Sequence, residues 1–126
     1  MRLPDVNYAA PQLLVDELQP AVAYYRDQLG FTVDFIYESF YASVSRGGAR
    51  IHLKCAPKAA GVRAHRRENE HLDAHIDVEG VDGLYSELET RGARVVQPLT
   101  EQEWACKDFT VEDLDGHILC FSELTG

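Results

Sequence analysis

Apolar residues recur along the chain at two periods, and each period occurs twice. Leu18, Val22, Tyr25 and Leu29 fall at helical spacing, as do Val81, Leu84, Tyr85 and Leu88. Gly30 and Gly92 follow and stop the two predicted helices. Pro20 suits the opening turn of the first helix better than its interior. The stretches "LLVDELQPAVAYYRDQLGFTV" and "AHIDVEGVDGLYSELETRGARV" each begin as a strand and pass into a helix. Val15 lies over Val78 at a spacing of 63, but one gap is needed before the glycines.

Extended segments complete each half: Phe31–Tyr37 and Phe40–Arg46 in the first, Ala93–Leu99 and Trp104–Glu112 in the second. "GARIHL" (48–53) then lies over "GHILCF" (116–121) at a spacing of 68, each a strand led by glycine out of a tight turn. The expected fold is α+β: two β-α-β-β-β modules, about 1–58 and 70–126, in a single domain. A loop around residues 56–70 joins them, and the curved mixed sheets form a cleft.

Strand alternation assigns faces. Leu72, Ala74, Ile76 and Val78 form an apolar set directed at the helix, which leaves His71, Asp73, His75 and Asp77 for the cleft. Ile51, Leu53 and Cys55 likewise face the helix, and Arg50, His52 and Lys54 the cleft. A wet outer sheet face would share this pattern.

With 126 residues, the chain is long enough for one compact domain with a real core. Three cysteines, without C-x-x-C spacing or an apolar stretch of signal-peptide length, are expected to be reduced thiols in a cytoplasmic protein. No apolar run is long enough for a bilayer, so no membrane partner is expected. The net charge of −9 would repel a nucleic acid and attract a cationic ligand. A local exception is the basic group Lys54, Lys58, Arg63, Arg66 and Arg67, either a solvated connector or an anion-attracting loop.

The repeat, "AVAYYRDQLGF" and "DFTVEDLDGH" together resemble the vicinal oxygen chelate superfamily of glyoxalases, bleomycin-resistance proteins and extradiol dioxygenases. The tail pattern W-G-x-R-x-F-x-V-x-D-P-D-G-N is met at Trp104, Phe109, Val111, Asp113, Asp115 and Gly116, and departs at Ala105, Lys107, Leu114 and His117. "GFTVDFIYESFYASVSRGGARIHL" is similar to the bleomycin-resistance branch. The resemblance implies paired β-α-β-β-β modules and a homodimer. It also places four metal-ligand positions of the metal-dependent members at Ala10, His52, Asp73 and Cys120, which the repeat spacings of 63 and 68 match.

Ala10 cannot bind a metal, and Cys120 stands where a carboxylate is usual. The preferred reading is therefore a metal-free, cofactor-free binding protein, not an enzyme. It would hold a flat, cationic small molecule in an aromatic-lined cleft. Ligand-binding positions are then Phe35, Phe40, His52, Asp73, His75, Trp104 and Cys120, with no catalytic residue. Cys120 contributes shape to the cleft. The alternative is a lyase, isomerase or dioxygenase holding divalent zinc, iron, nickel or manganese on His52, Asp73 and Cys120. A third reading, His52 or His75 as a general base with Cys120 as a nucleophile, ranks last.

Overall fold

A computed structural model describes residues 4–56 and 72–125. The connector predicted around 56–70 lies almost wholly outside these residues, as do Lys58, Arg63, Arg66, Arg67 and His71. The first module runs β1 (Gln12–Val15), α1 (Leu18–Ala23), a π-helical turn (Tyr24–Gln28), β2 (Thr32–Tyr37), β3 (Tyr41–Arg46) and β4 (Ala49–Cys55). The second runs β5 (Ala74–Asp77), α2 (Val81–Thr90), β6 (Arg94–Gln102), β7 (Cys106–Glu112) and β8 (Ile118–Leu124). Each module is a mixed four-stranded sheet, in the order β1-β4-β3-β2 and β5-β8-β7-β6. Its first strand pairs parallel to its last, and the remaining pairs are antiparallel. Among the described residues no helix is long and apolar enough to cross a membrane.

The internal repeat is visible in detail. Both sheets carry a β-bulge at the same place, between Val33 and Phe35 in one and between Val95 and Gln97 in the other. These positions are 62 apart, as are Gly30 and Gly92, whereas Val15 and Val78 are 63 apart. The first module thus has one extra residue between its first strand and the glycine. The π-helical turn lies in that interval, and its wider i→i+5 bonding accommodates one more residue in a helix. Leu29 N–H donates to the Tyr24 carbonyl at 3.2 Å in this way.

That turn makes the joint between modules. It buries Tyr24 and Tyr25 side by side. Tyr24 Oη donates to the Glu112 carbonyl, and Tyr25 Oη to Asp113 Oδ2, both at 2.8 Å. His117 Nδ1 lies 2.8 Å from the same Asp113 oxygen, while Asp113 Oδ1 accepts from the backbone N–H of Asp115 and His117. Arg46, at the end of β3, makes a two-pronged bond to Glu87 of α2, 2.7 Å on each arm. Gly30 is favoured here by its backbone, and it also leaves room for Arg46. Its φ of +73° is left-handed, and a Cβ there would lie 2.5 Å from an Arg46 guanidinium nitrogen.

One core spans both modules. Val15, Val22, Tyr25, Leu29, Ile51 and Leu53 join Leu88, Phe109, Val111 and Leu119 in a single buried cluster. The modules therefore meet through their helices and adjoining strand ends. The outer face of each sheet is the one turned away from the helices.

Candidate ligand-binding walls

In β4, Ile51 and Leu53 enter the core, so alternation sends Arg50, His52 and Lys54 to the outer face. Their antiparallel partners Ser45, Ser43 and Tyr41 share that face. The bulge in β2 inserts one residue, and Asp34 and Phe35 both serve the outer face as a result. Asp34 accepts from the hydroxyls of Ser43 and Ser45 at 2.9 and 2.7 Å, and these bonds, above all the one from Ser45, hold its carboxyl below the usual range. The Phe35 ring stacks on Tyr41, with centroids 6.4 Å apart and planes at 10°, and meets His52 edge-on at 6.1 Å. Phe40 lies 6.3 Å from Tyr41, and Lys54 Nζ stands 5.7 Å over the Phe40 ring. Phe35 and Phe40 are each 46% exposed. The first sheet thus bears an aromatic wall.

His52 sits in its middle with both ring nitrogens engaged. Tyr41 Oη donates its one proton to Gln12 Oε1 at 2.9 Å. The 2.9 Å contact between Tyr41 and His52 Nδ1 must then be a bond donated by Nδ1–H. Nε2 lies 3.2 Å from the Tyr8 hydroxyl. Arg50 lies 4.0 Å over the face of the Tyr8 ring.

The second sheet repeats the plan with different chemistry. Leu119 and Phe121 of β8 and Phe109 and Val111 of β7 enter the core. Cys120 and Ser122, with Cys106, Asp108 and Thr110, take the outer face. His75 pairs with Cys120 as Gln12 pairs with His52. Superposing the repeats on His52 and Cys120 puts Tyr41 over Asp108, and Phe35 over Gln97. Rings on one wall correspond to a carboxylate and an amide on the other. Asp108 Oδ1 accepts from both Gln97 Nε2 and Gln102 Nε2 at 2.9 Å.

Burial, and then the charge of Asp108, pushes the Cys120 thiol up to about 11. At neutral pH only about one part in ten thousand is thiolate, so it is a poor nucleophile.

Of the seven residues singled out from sequence, five lie on the walls. Phe35, Phe40 and His52 lie on the first. His75 and Cys120 lie on the second, with His75 exposed and Cys120 buried. Asp73 is held at the edge of the second sheet, where its Oδ2 accepts from Ile118 N–H at 2.9 Å. Trp104, 67% exposed, is at the tip of the β6–β7 hairpin beside Ala105, whose φ is +60°. The set His52, Asp73 and Cys120 does not assemble as metal ligands within one chain. Among the described residues no three His, Cys, Asp or Glu side chains are grouped to hold an ion, and Ala10 supplies no donor.

Sequence reasoning missed Tyr8, Tyr41, Asp108, Gln97 and Gln102. Tyr41 and Asp108 were open to the alternation argument, being two residues from Ser43 and Thr110 on the same faces; nothing in the sequence ties Tyr8 to His52. A recess of about 780 Å³ opens at the module junction, lined among others by Arg50, Ile51, Asp77 and Glu87; of the seven residues only His75 borders it.

Comparisons with known proteins agree with this architecture. The bleomycin resistance protein of Geobacillus stearothermophilus is 28% identical over 126 residues, covering 88% of this chain and 92% of that one. The bleomycin-binding protein of the bleomycin producer Streptomyces verticillus, solved with copper(II)-bleomycin, superposes with a TM-score of 0.68 at 24% identity, over 98% of this chain and 99% of that one. A glyoxalase/bleomycin resistance protein/dioxygenase from Alicyclobacillus acidocaldarius gives 0.75 at 15% identity, over 100% and 96%. The sequence model of the glyoxalase/bleomycin resistance protein/dioxygenase superfamily matches residues 6–121, and the chain belongs to that superfamily.

Proposed function

We propose that this protein is a metal-free small-molecule-binding protein of the bleomycin-resistance type, which sequesters a flat, cationic guest. The observation that carries the reading is the aromatic wall, where Phe35 and Phe40 keep nearly half their surface in water on a sheet face whose other side is core. Exposed rings gathered on one face gain by stacking against a flat guest, each by roughly 0.5–1.5 kcal/mol beyond the area covered. The net charge of −9 draws a cation toward the molecule. The likeness to bleomycin resistance proteins supports the same ligand class.

Each wall is turned away from its own chain's helices, so the cleft is closed by a second copy. The aromatic wall of one protomer would face the polar wall of its partner. Arg50 and Lys54 on one then meet Asp77 on the other, which matches charge across the cleft. The reading needs no metal: Ala10 offers no side-chain donor at one of the four positions, and His52 Nε2 lies in hydrogen-bond contact with Tyr8.

Titration of bleomycin against the protein at two ionic strengths tests the reading through Trp104, the only tryptophan. The emission is expected to be quenched or shifted, with weaker binding at the higher salt. No emission change and no heat of binding at high micromolar drug together remove the drug-binding function.

A further inference from the structure

The polar wall holds a carboxylate with a defined orientation. Asp108 lies within β7, directly opposite Ser122 of β8, and only 8% of its surface is exposed. Two glutamine amides, Gln97 and Gln102, donate to the same oxygen, Oδ1. Both come from β6, which grips that oxygen from the neighbouring strand. The other oxygen, Oδ2, faces the Cys106 thiol at 3.8 Å, a long contact from a weak donor. An ionised carboxylate offers about four acceptor sites, so capacity remains at Oδ2. Burying such a group without a strong partner is costly. The equivalent place on the first wall holds Tyr41, whose hydroxyl is spent on Gln12 and His52. The neighbouring ionisable groups on this face are Asp77, also opposite Ser122, with His75 and Cys120 opposite one another.

We propose that Asp108 receives the cationic head of the guest. Oδ2 accepts N–H bonds from an amidinium, guanidinium or ammonium group while the guest's flat part lies on the rings of the facing aromatic wall. The assignment rests on the cleft reading above. Gln97 and Gln102 act as positioning residues: they fix the carboxylate plane and leave Oδ2 for the guest. A cation is selected over a neutral isostere because a charge-assisted bond is stronger than a neutral one.

The probe is benzamidine, with benzamide as its neutral isostere, titrated into isotopically labelled full-length protein and followed by two-dimensional NMR. Benzamidine is expected to shift the side-chain amide signals of Gln97 and Gln102, and benzamide to bind at least tenfold more weakly. Asp108→Asn is expected to lose at least tenfold in benzamidine affinity with its melting temperature near that of the wild type. Gln102→Met, which keeps the charge, is expected to lose several-fold. Unshifted glutamine signals, equal binding of the two probes, or unchanged affinity in Asp108→Asn overturns the assignment. Should Asp108→Asn fail to fold, a shift of the Gln97 and Gln102 signals with benzamidine but not benzamide, together with the loss in Gln102→Met, decides. Bleomycin serves as the separating arm. If it does not bind while benzamidine behaves as expected, Asp108 stands and the drug reading falls. If it binds while benzamidine ignores Asp108→Asn, the drug reading stands and Asp108 falls.

Discussion

Cys120 and His52 hold equivalent places in the two repeats, and each is held by a different device. For Cys120 the device is burial, reinforced by the charge of Asp108, which raises the thiol to about 11. Because the folded state keeps this proton longer than the unfolded chain, the group's contribution to stability is full below the ordinary thiol range and is lost as pH rises toward 11. Alkylation by iodoacetamide should follow the same pattern. At pH 7.5 Cys120 should react at least tenfold more slowly than Cys55, which is partly exposed; peptide mass spectrometry of the timed reaction checks this. Equal rates would place Cys120 in a more polar setting than its surroundings provide. For His52 the device is a chain of hydrogen bonds from Tyr8 through the ring and Tyr41 to Gln12. Alternation placed His52 on the outer face from the sequence alone. The chain was not legible, because Tyr8 precedes the first strand and is 44 residues away.

At the scale of elements, the joint between modules hinges on the π-helical turn and the Arg46–Glu87 pair. Bonds from Arg46, and then from Arg91, hold the Glu87 carboxyl down to about 2. The stability it supplies is present above the ordinary carboxylate range and is lost as pH falls toward 2. Glu87 is partly exposed, so solvent screening keeps the contribution to about 1 kcal/mol. Glu87→Gln should lower stability by that much in urea melts at pH 7, with the gap to the wild type closing as pH approaches 2. Gly30→Ala should cost about 1–3 kcal/mol, since it puts a side chain at a left-handed φ and displaces the Arg46 guanidinium from its bonds to Glu87. A melt unchanged by Gly30→Ala would mean the joint is looser than its geometry indicates. The strands were legible because one face of each is core, so period-two alternation survives in residues 50–54 and 118–122. The π turn was legible only as the single gap in the repeat. That the helices, and not the outer faces, join the modules was hidden, since Tyr24, Tyr25, Arg46 and Glu87 read in sequence like ordinary core and surface positions.

The whole molecule is an aromatic wall and an acidic wall built on one plan and facing away from their shared core. A guest held between two such walls requires two chains. Light scattering at micromolar concentration is therefore expected to give twice the 14.2 kDa chain mass. A monomer would leave each wall as an open face and limit the protein to weak, one-sided stacking. The central claim is that a flat cationic guest binds on the aromatic wall. Calorimetric titration of bleomycin into the wild type and Phe35→Ala tests it most directly. Saturable binding in the wild type, weakened about threefold to tenfold in Phe35→Ala with the fold intact, is the predicted result. Absence of heat in the wild type, or equal affinity in the two proteins, would contradict it.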